Sequence, residues 1–284
     1  MRAVNATLGR PLLASHPATI RMYAALVAAG FRRYATYRQA MVAAMITNSV
    51  FGFLRSSAIL AAAAGAGGAA AGYGRSQLAL YVWVGQGLIG TVQPWAPLDL
   101  AERIRSGDVV CDLLRPVNPV LRDLAGEVGR AGYGAVTRFV VLITIGLVAF
   151  DCYRPTRGAS YALFVVSVLL AVVISFCCRY LVAASAYWLL DARGPQIAWT
   201  LASTVFSGMA FPLWFLPGWA SGLLIYATPV PSVTQVPIVF LVAPPTLPGQ
   251  LAGLAVQAGW AVVMLAGCQL VQRRAERRMV IQGG

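Results

Sequence analysis

"RIRSGDVVCDLLRPVNP", Arg103–Pro119, carries mixed charge and ends in two prolines within a chain that is otherwise apolar and basic. Just upstream, Leu98, Ala101, Ile104 and Arg105 begin at helical spacing. Asp99 and Glu102 stand near the helix start, where carboxylates complement the helix dipole. Ser106-Gly107-Asp108 is turn chemistry. "VVCDLL" then resumes an apolar register, and Pro116 and Pro119 stiffen "RPVNP". The spacing predicts a short, rigid elbow over 99–119 that displays both charge signs. A solvated loop would need no such stiffness, whereas a surface that takes force from a partner would.

The flanks of the elbow set its surroundings. Of 284 residues, 59% are hydrophobic and only 11% charged, against about 25% charged in soluble domains. Mean hydropathy is +0.71. Several apolar runs reach the roughly 20 residues that cross a bilayer core, so the expected fold class is an all-α polytopic membrane protein. Six spans are predicted, at 40–63, 77–98, 131–150, 159–189, 195–216 and 250–271. Pro94 and Pro97 bend or end the second, and the fourth is longer than one crossing needs. "GAGGAAAGYG", residues 65–74, reads as a flexible external loop. The uncharged segment 217–249 is cut by Pro229, Pro231 and Pro237 into pieces too short to cross, which predicts an external re-entrant hairpin. A seventh, kinked span is the rival.

The chain carries a net charge of +13 with 22 basic residues, and all of them are arginine. With six spans and both ends inside, sixteen arginines fall on cytoplasmic segments and three (Arg75, Arg154, Arg157) outside, with Arg55, Arg138 and Arg179 within spans. That is the positive-inside bias of a membrane protein. A seventh span would move the tail arginines outside, so six spans are preferred. Within the N-terminal segment 1–39, residues 1–17 read as irregular. Ile20, Ala24, Val27, Phe31 and Tyr34 then recur at helical spacing with Arg21 and Arg32 on the flank. This predicts an amphipathic helix lying in the interface with membrane lipids, not a nucleic-acid arm. Residues 272–284 form a basic tail.

Composition also excludes chemistry. A phosphate-binding loop needs a lysine, and this chain has none. His16 is the only histidine, which excludes a multi-histidine metal site and a HExxH motif. The five cysteines form no CxxC pair and read as unpaired, buried thiols. Six of nine acids lie in the elbow region, and Asp151, Asp191 and Glu276 sit at span ends. A proton relay would place acids mid-membrane. Asn48, Arg55, Gln86, Gln93, Ser203, Thr204 and Ser207 are polar residues inside spans and the candidates for a translocation path. Helix–helix hydrogen bonding is the competing role for the amides and hydroxyls, and snorkelling for Arg55.

"GDVVCDLLRPVNP" (Gly107–Pro119) fits G-x-[LV]-x-x-x-L-L-R-P-[VL]-x-P. "PLWFLPGW" (Pro212–Trp219) continues to "TPVPSVTQVPIVFLV" (Thr228–Val242), and the basic tail ends "QGG". In the order and spacing of these features the chain resembles the permease subunits of bacterial ATP-binding-cassette exporters of the type-two class. The resemblance implies six spans in a bacterial plasma membrane, with both termini cytoplasmic. It implies a partner permease, identical or paralogous, and separate ABC ATPase subunits that carry ATP and Mg, with no cofactor in this chain. It places the coupling contacts in the elbow, where Glu102, Arg103, Arg105, Gly107, Asp108, Asp112 and Arg115 are the candidates. An amphipathic or lipophilic cargo is expected from the absence of charges in the path. The alternatives are an ion-gradient-driven secondary transporter, for which no internal repeat is seen, and a non-transporting membrane scaffold.

Overall fold

The computed structural model describes residues 17–65, 67–243 and 246–282. His16, the irregular start and the final two glycines lie outside the described residues. Helix α1 (Pro17–Ala35) precedes α2 (Arg38–Gly65), a two-stranded ribbon of β1 (Ala69–Ala70) and β2 (Tyr73–Gly74), and α3 (Arg75–Val92). The elbow is α4 (Leu100–Ser106) and α5 (Val109–Leu113). Helix α6 (Pro119–Ala149) follows, with a π-helical turn at Ala135–Phe139, then α7 (Gly158–Leu189) and α8 (Arg193–Phe206). Two short helices, α9 (Gly218–Ala227) and α10 (Gln235–Val242), lead into α11 (Leu247–Gln282).

Among the described residues four helices are long and apolar enough to cross a membrane: α2, α6, α7 and α11. The two other predicted spans are shorter than expected. Helix α3 stops at Val92 because Gln93 turns left-handed (φ 46°) ahead of Pro94. It is also less apolar, with Gln77, Gln86 and three glycines along its length. Burial explains that composition. Almost every residue from Leu78 to Val92 is covered by other helices, so α3 needs no lipid-compatible surface. The fifth predicted span ends as helix α8 at Phe206, only 14 residues long. Gly208 (φ 83°) and Pro212 break it there. The expected loop at 65–74 is a tight hairpin: Ala69 pairs Gly74 and Ala70 pairs Tyr73 around Ala71 and Gly72, both at positive φ. Two positive-φ residues match the twist of a two-residue hairpin.

The core centres on α3. Trp83, Val84, Leu88 and Val92 pack with Leu142 of α6, Ala171 and Ile174 of α7, and Ile238 and Val242 of α10. Small residues permit close approach, as at other membrane helix crossings. A Cβ on Gly134 would strike the Gly90 carbonyl, and one on Gly146 would strike Trp83. Helix α1 docks on α6 the same way, with Gly30 against Gly126 and Gly129 against Val27. Phe31 meets Tyr133 edge-on at 5.4 Å. The predicted apolar stripe is therefore shared between α6 and the surroundings, since Ile20 remains 65% exposed.

Candidate functional site

The elbow is built as expected but held differently. Gly107 ends α4 at φ 84°, a conformation open to glycine at no steric cost. Asn118 caps α6 by accepting from the Leu121 N–H at 3.0 Å, and Pro119 fills the first helical position, where its missing donor costs nothing. Leu100 and Val109 turn inward onto Val120, Phe176 and Tyr180. Four charges then lock the three helices together. Arg122 donates to both Asp112 oxygens at 2.5 and 2.9 Å, and to Asp123 at 2.9 Å. Arg103 reaches Asp123 at 2.5 Å and lies 3.3 Å from Asp112.

The Arg122 hydrogen bond, backed by the charge of Arg103, holds the Asp112 carboxyl below its ordinary 3.8. A depressed carboxylate contributes stability that is present above its unfolded pKa and lost as pH falls through the depressed folded value. The clamp is therefore insensitive to pH across the neutral range. Arg103 and Asp112, expected among the coupling contacts, are turned toward the protein. Glu102, Arg105, Gly107, Asp108 and Arg115 are exposed. Glu102 and Arg105 pair at 2.8 Å, Ser106 donates to Asp108 at 2.7 Å, and Arg115 has no ion-pair partner among the described residues.

A second charged cluster lies deeper. Glu127 accepts from Arg130 at 2.9 Å and from Arg179 at 2.6 Å. Arg130 and Arg179 are 2% and 1% exposed. Arg130 also donates to the Gly90 and Thr91 carbonyls at 3.2 and 3.0 Å, and Arg179 to the Ala96 carbonyl at 3.4 Å. Nearby carbonyls of Pro94 and Trp95 accept from Trp199 and Gln196. The chain leaving α3 thus has its backbone acceptors satisfied from α6, α7 and α8. Sequence reading missed this cluster. The available signal was Glu127 and Arg130 three apart on one helix, with Arg179 stranded in an apolar run.

At the far end, α10 is tied in by uncharged groups. The Gln235 side-chain oxygen accepts from Tyr81 at 2.7 Å and from the Leu213 N–H at 3.3 Å. The Gln235 N–H donates to the Ser207 carbonyl at 2.9 Å, which Thr234 also contacts. Gln257 bridges the Ser167 and Ser232 carbonyls at 3.0 and 2.8 Å.

Residues 47–283 match the family model described as ABC-2 family transporter protein. The chain belongs to that family. It is a multi-pass transmembrane permease of the ABC transporter class, whose membrane subunits are normally non-catalytic and associate with ABC ATPases. No curated protein and no solved structure matches it.

In this ABC-2 permease the predicted path residues do not converge. Arg55 donates to the Met209 carbonyl and, at 2.9 Å, to that of Ala210, so it satisfies the broken end of α8. Ser203 and Thr204 bond back to Thr200 within their own helix at 3.2 and 2.7 Å. Ser207 is buried and offers its carbonyl to α10. Gln86 is buried with its side-chain oxygen unpaired among the described residues. Asn48 is half-buried on α2. Gln93 lines a cavity between α1, α2, α3 and α6.

Proposed function

We propose that this permease is the transmembrane half of an ATP-driven exporter in a bacterial plasma membrane, pairing with a second permease chain. Residues 40–271 cross six times. Helix α3 serves as a sheltered crossing of about 27 Å at 1.5 Å per residue. Helix α8 begins a crossing that the following turns complete, and 217–249 dips in from outside as a hairpin. Segments 1–39 and 272–284 are cytoplasmic, as sixteen arginines against three favour. ATP and Mg bind a separate ATPase, whose closure pushes the elbow 99–119 and rocks the spans to open a path at the permease dimer interface. The cargo is amphipathic or lipophilic.

One observation carries this reading. The elbow presents exposed charges outward at Glu102, Arg105, Asp108 and Arg115, while the inward charges of Arg103 and Asp112 fasten it to α6. Such a part receives a push and passes it on. Co-purification with a Walker-motif ATPase tests the docking. Asp108→Arg with Arg105→Glu is expected to abolish co-elution while leaving the permease folded, and undiminished co-elution would refute the assigned surface. Sidedness has a test in the native chain. Cys111 is exposed while Cys152, Cys177, Cys178 and Cys268 are buried. A membrane-impermeant maleimide is expected to label Cys111 in inverted vesicles and leave intact cells unlabelled; labelling from outside would overturn the orientation.

A further inference from the structure

Arg138 sits in the π-helical turn of α6 and has no hydrogen bond or ion pair among the described residues. It is 13 residues before Asp151, about 20 Å along the helix. With a hydrocarbon core of about 30 Å, and on the six-crossing reading, its backbone lies well inside the leaflet on the elbow side. An arginine at that depth requires an anion or a route to the surface. Side chains on a helix lean toward its N-terminus, here the elbow. In that direction lies a cavity of about 220 Å³ lined by Tyr34, Tyr37, Gln93, Arg130, Tyr133 and Arg138.

This lining is rich in donors and poor in acceptors. Tyr34 and Tyr37 donate to nothing among the described residues. The Tyr133 hydroxyl faces only the Met41 sulfur, at 2.9 Å, a weak acceptor. Glu127 is taken up by Arg130 and Arg179, and among the described residues no carboxylate pairs with Arg138. Val141, a turn further toward the membrane centre, is exposed and suits an acyl chain.

We infer that this cavity binds the phosphate of an anionic membrane phospholipid, with Arg138 as its charge partner and the three tyrosines as hydrogen-bond donors. Basic clefts between spans on the cytoplasmic side are suited to such headgroups. The tyrosines fit the interfacial depth at which aromatic residues with a polar tip are favoured. Because α1, α2, α3 and α6 all border the cavity, the lipid would brace the N-terminal helix against the bundle.

The test uses the purified full chain in detergent, with native mass spectrometry and melting temperature as readouts. The probes are dioleoyl phosphatidylglycerol, dioleoyl phosphatidylcholine and inorganic phosphate. Wild type is expected to retain phosphatidylglycerol in preference to phosphatidylcholine and to melt at a higher temperature with it, whereas inorganic phosphate gives no shift. Arg138→Gln is expected to lose both the preference and the shift. Tyr34→Phe with Tyr37→Phe removes two hydroxyls and no charge, and is expected to weaken retention roughly fivefold or more; this variant carries the test if Arg138→Gln misfolds. Equal retention by these variants, equal retention of the two lipids, or an equal shift with inorganic phosphate would each overturn the assignment. None of these readouts involves an ATPase, so the result stands apart from the transport reading.

Discussion

Glu127→Gln is expected to destabilise the protein by about 3–5 kcal/mol, the usual cost of stranding one side of a buried ion pair. The glutamine keeps the shape but leaves Arg130 and Arg179, both nearly inaccessible, facing each other with no negative charge. Their remaining acceptors are the carbonyls of Gly90, Thr91 and Ala96, and these carry only partial charge. The expected readout is a lower melting temperature and reduced yield in detergent, with no change in salt sensitivity of the exposed Glu102–Arg105 pair. A triple replacement, Glu127→Leu with Arg130→Met and Arg179→Met, should recover much of the loss, because an apolar substitute of similar volume removes the desolvation cost together with the attraction. A Glu127→Gln protein as stable as wild type would show that the cluster does not hold the three helices together.

Arg122→Ala should separate docking from transmission. Arg122 is the hub of the elbow clamp, bonding Asp112 on α5 and Asp123 on its own helix. It is only 11% exposed, so it offers an incoming partner little surface. Its loss leaves Arg103 alone to face two carboxylates. ATPase association is expected to persist, since the outward charges are untouched. Cargo-stimulated ATP hydrolysis and transport are expected to fall at least about tenfold, the equivalent of about 1.4 kcal/mol. Asp108→Arg with Arg105→Glu gives the opposite pattern, lost association with an intact elbow. If Arg122→Ala transports normally, the clamp is structural and force enters α6 by another route.

The helical membrane class and the elbow were legible in sequence because each has a local signal. Apolar runs bounded by arginine mark helices that face lipid, and Ser106-Gly107-Asp108 with Pro116 and Pro119 marks a stiff turn. The ends of α3 and α8 were overestimated for one physical reason. Hydropathy reports which residues tolerate lipid, but not where an apolar stretch stops being a helix. Leu213 is as apolar as any residue in α8, yet it lies in a 3-10 turn held by Gln235. The turn of the elbow was legible, whereas the direction in which its charges face was not. Arg103 and Asp112 look outward on a linear map, and only the folding of α6 against α4 brings Arg122 and Asp123 to meet them. The Glu127 cluster joins residues up to 52 positions apart, a pairing that one sequence does not announce.

Helix α2 buries three small residues against the bundle, Gly52, Ser56 and Ala63, and sets Phe53 edge-on to Trp83 at 5.2 Å. One polar latch from Arg55 to the Met209 and Ala210 carbonyls adds to these contacts. Little apolar area is uncovered when such a rod pivots or slides, because most of what it hides is small. The thermodynamic resistance to moving it resides in a few discrete contacts, the Arg55 latch and the packing of Phe53 on Trp83, and not in a broad apolar face.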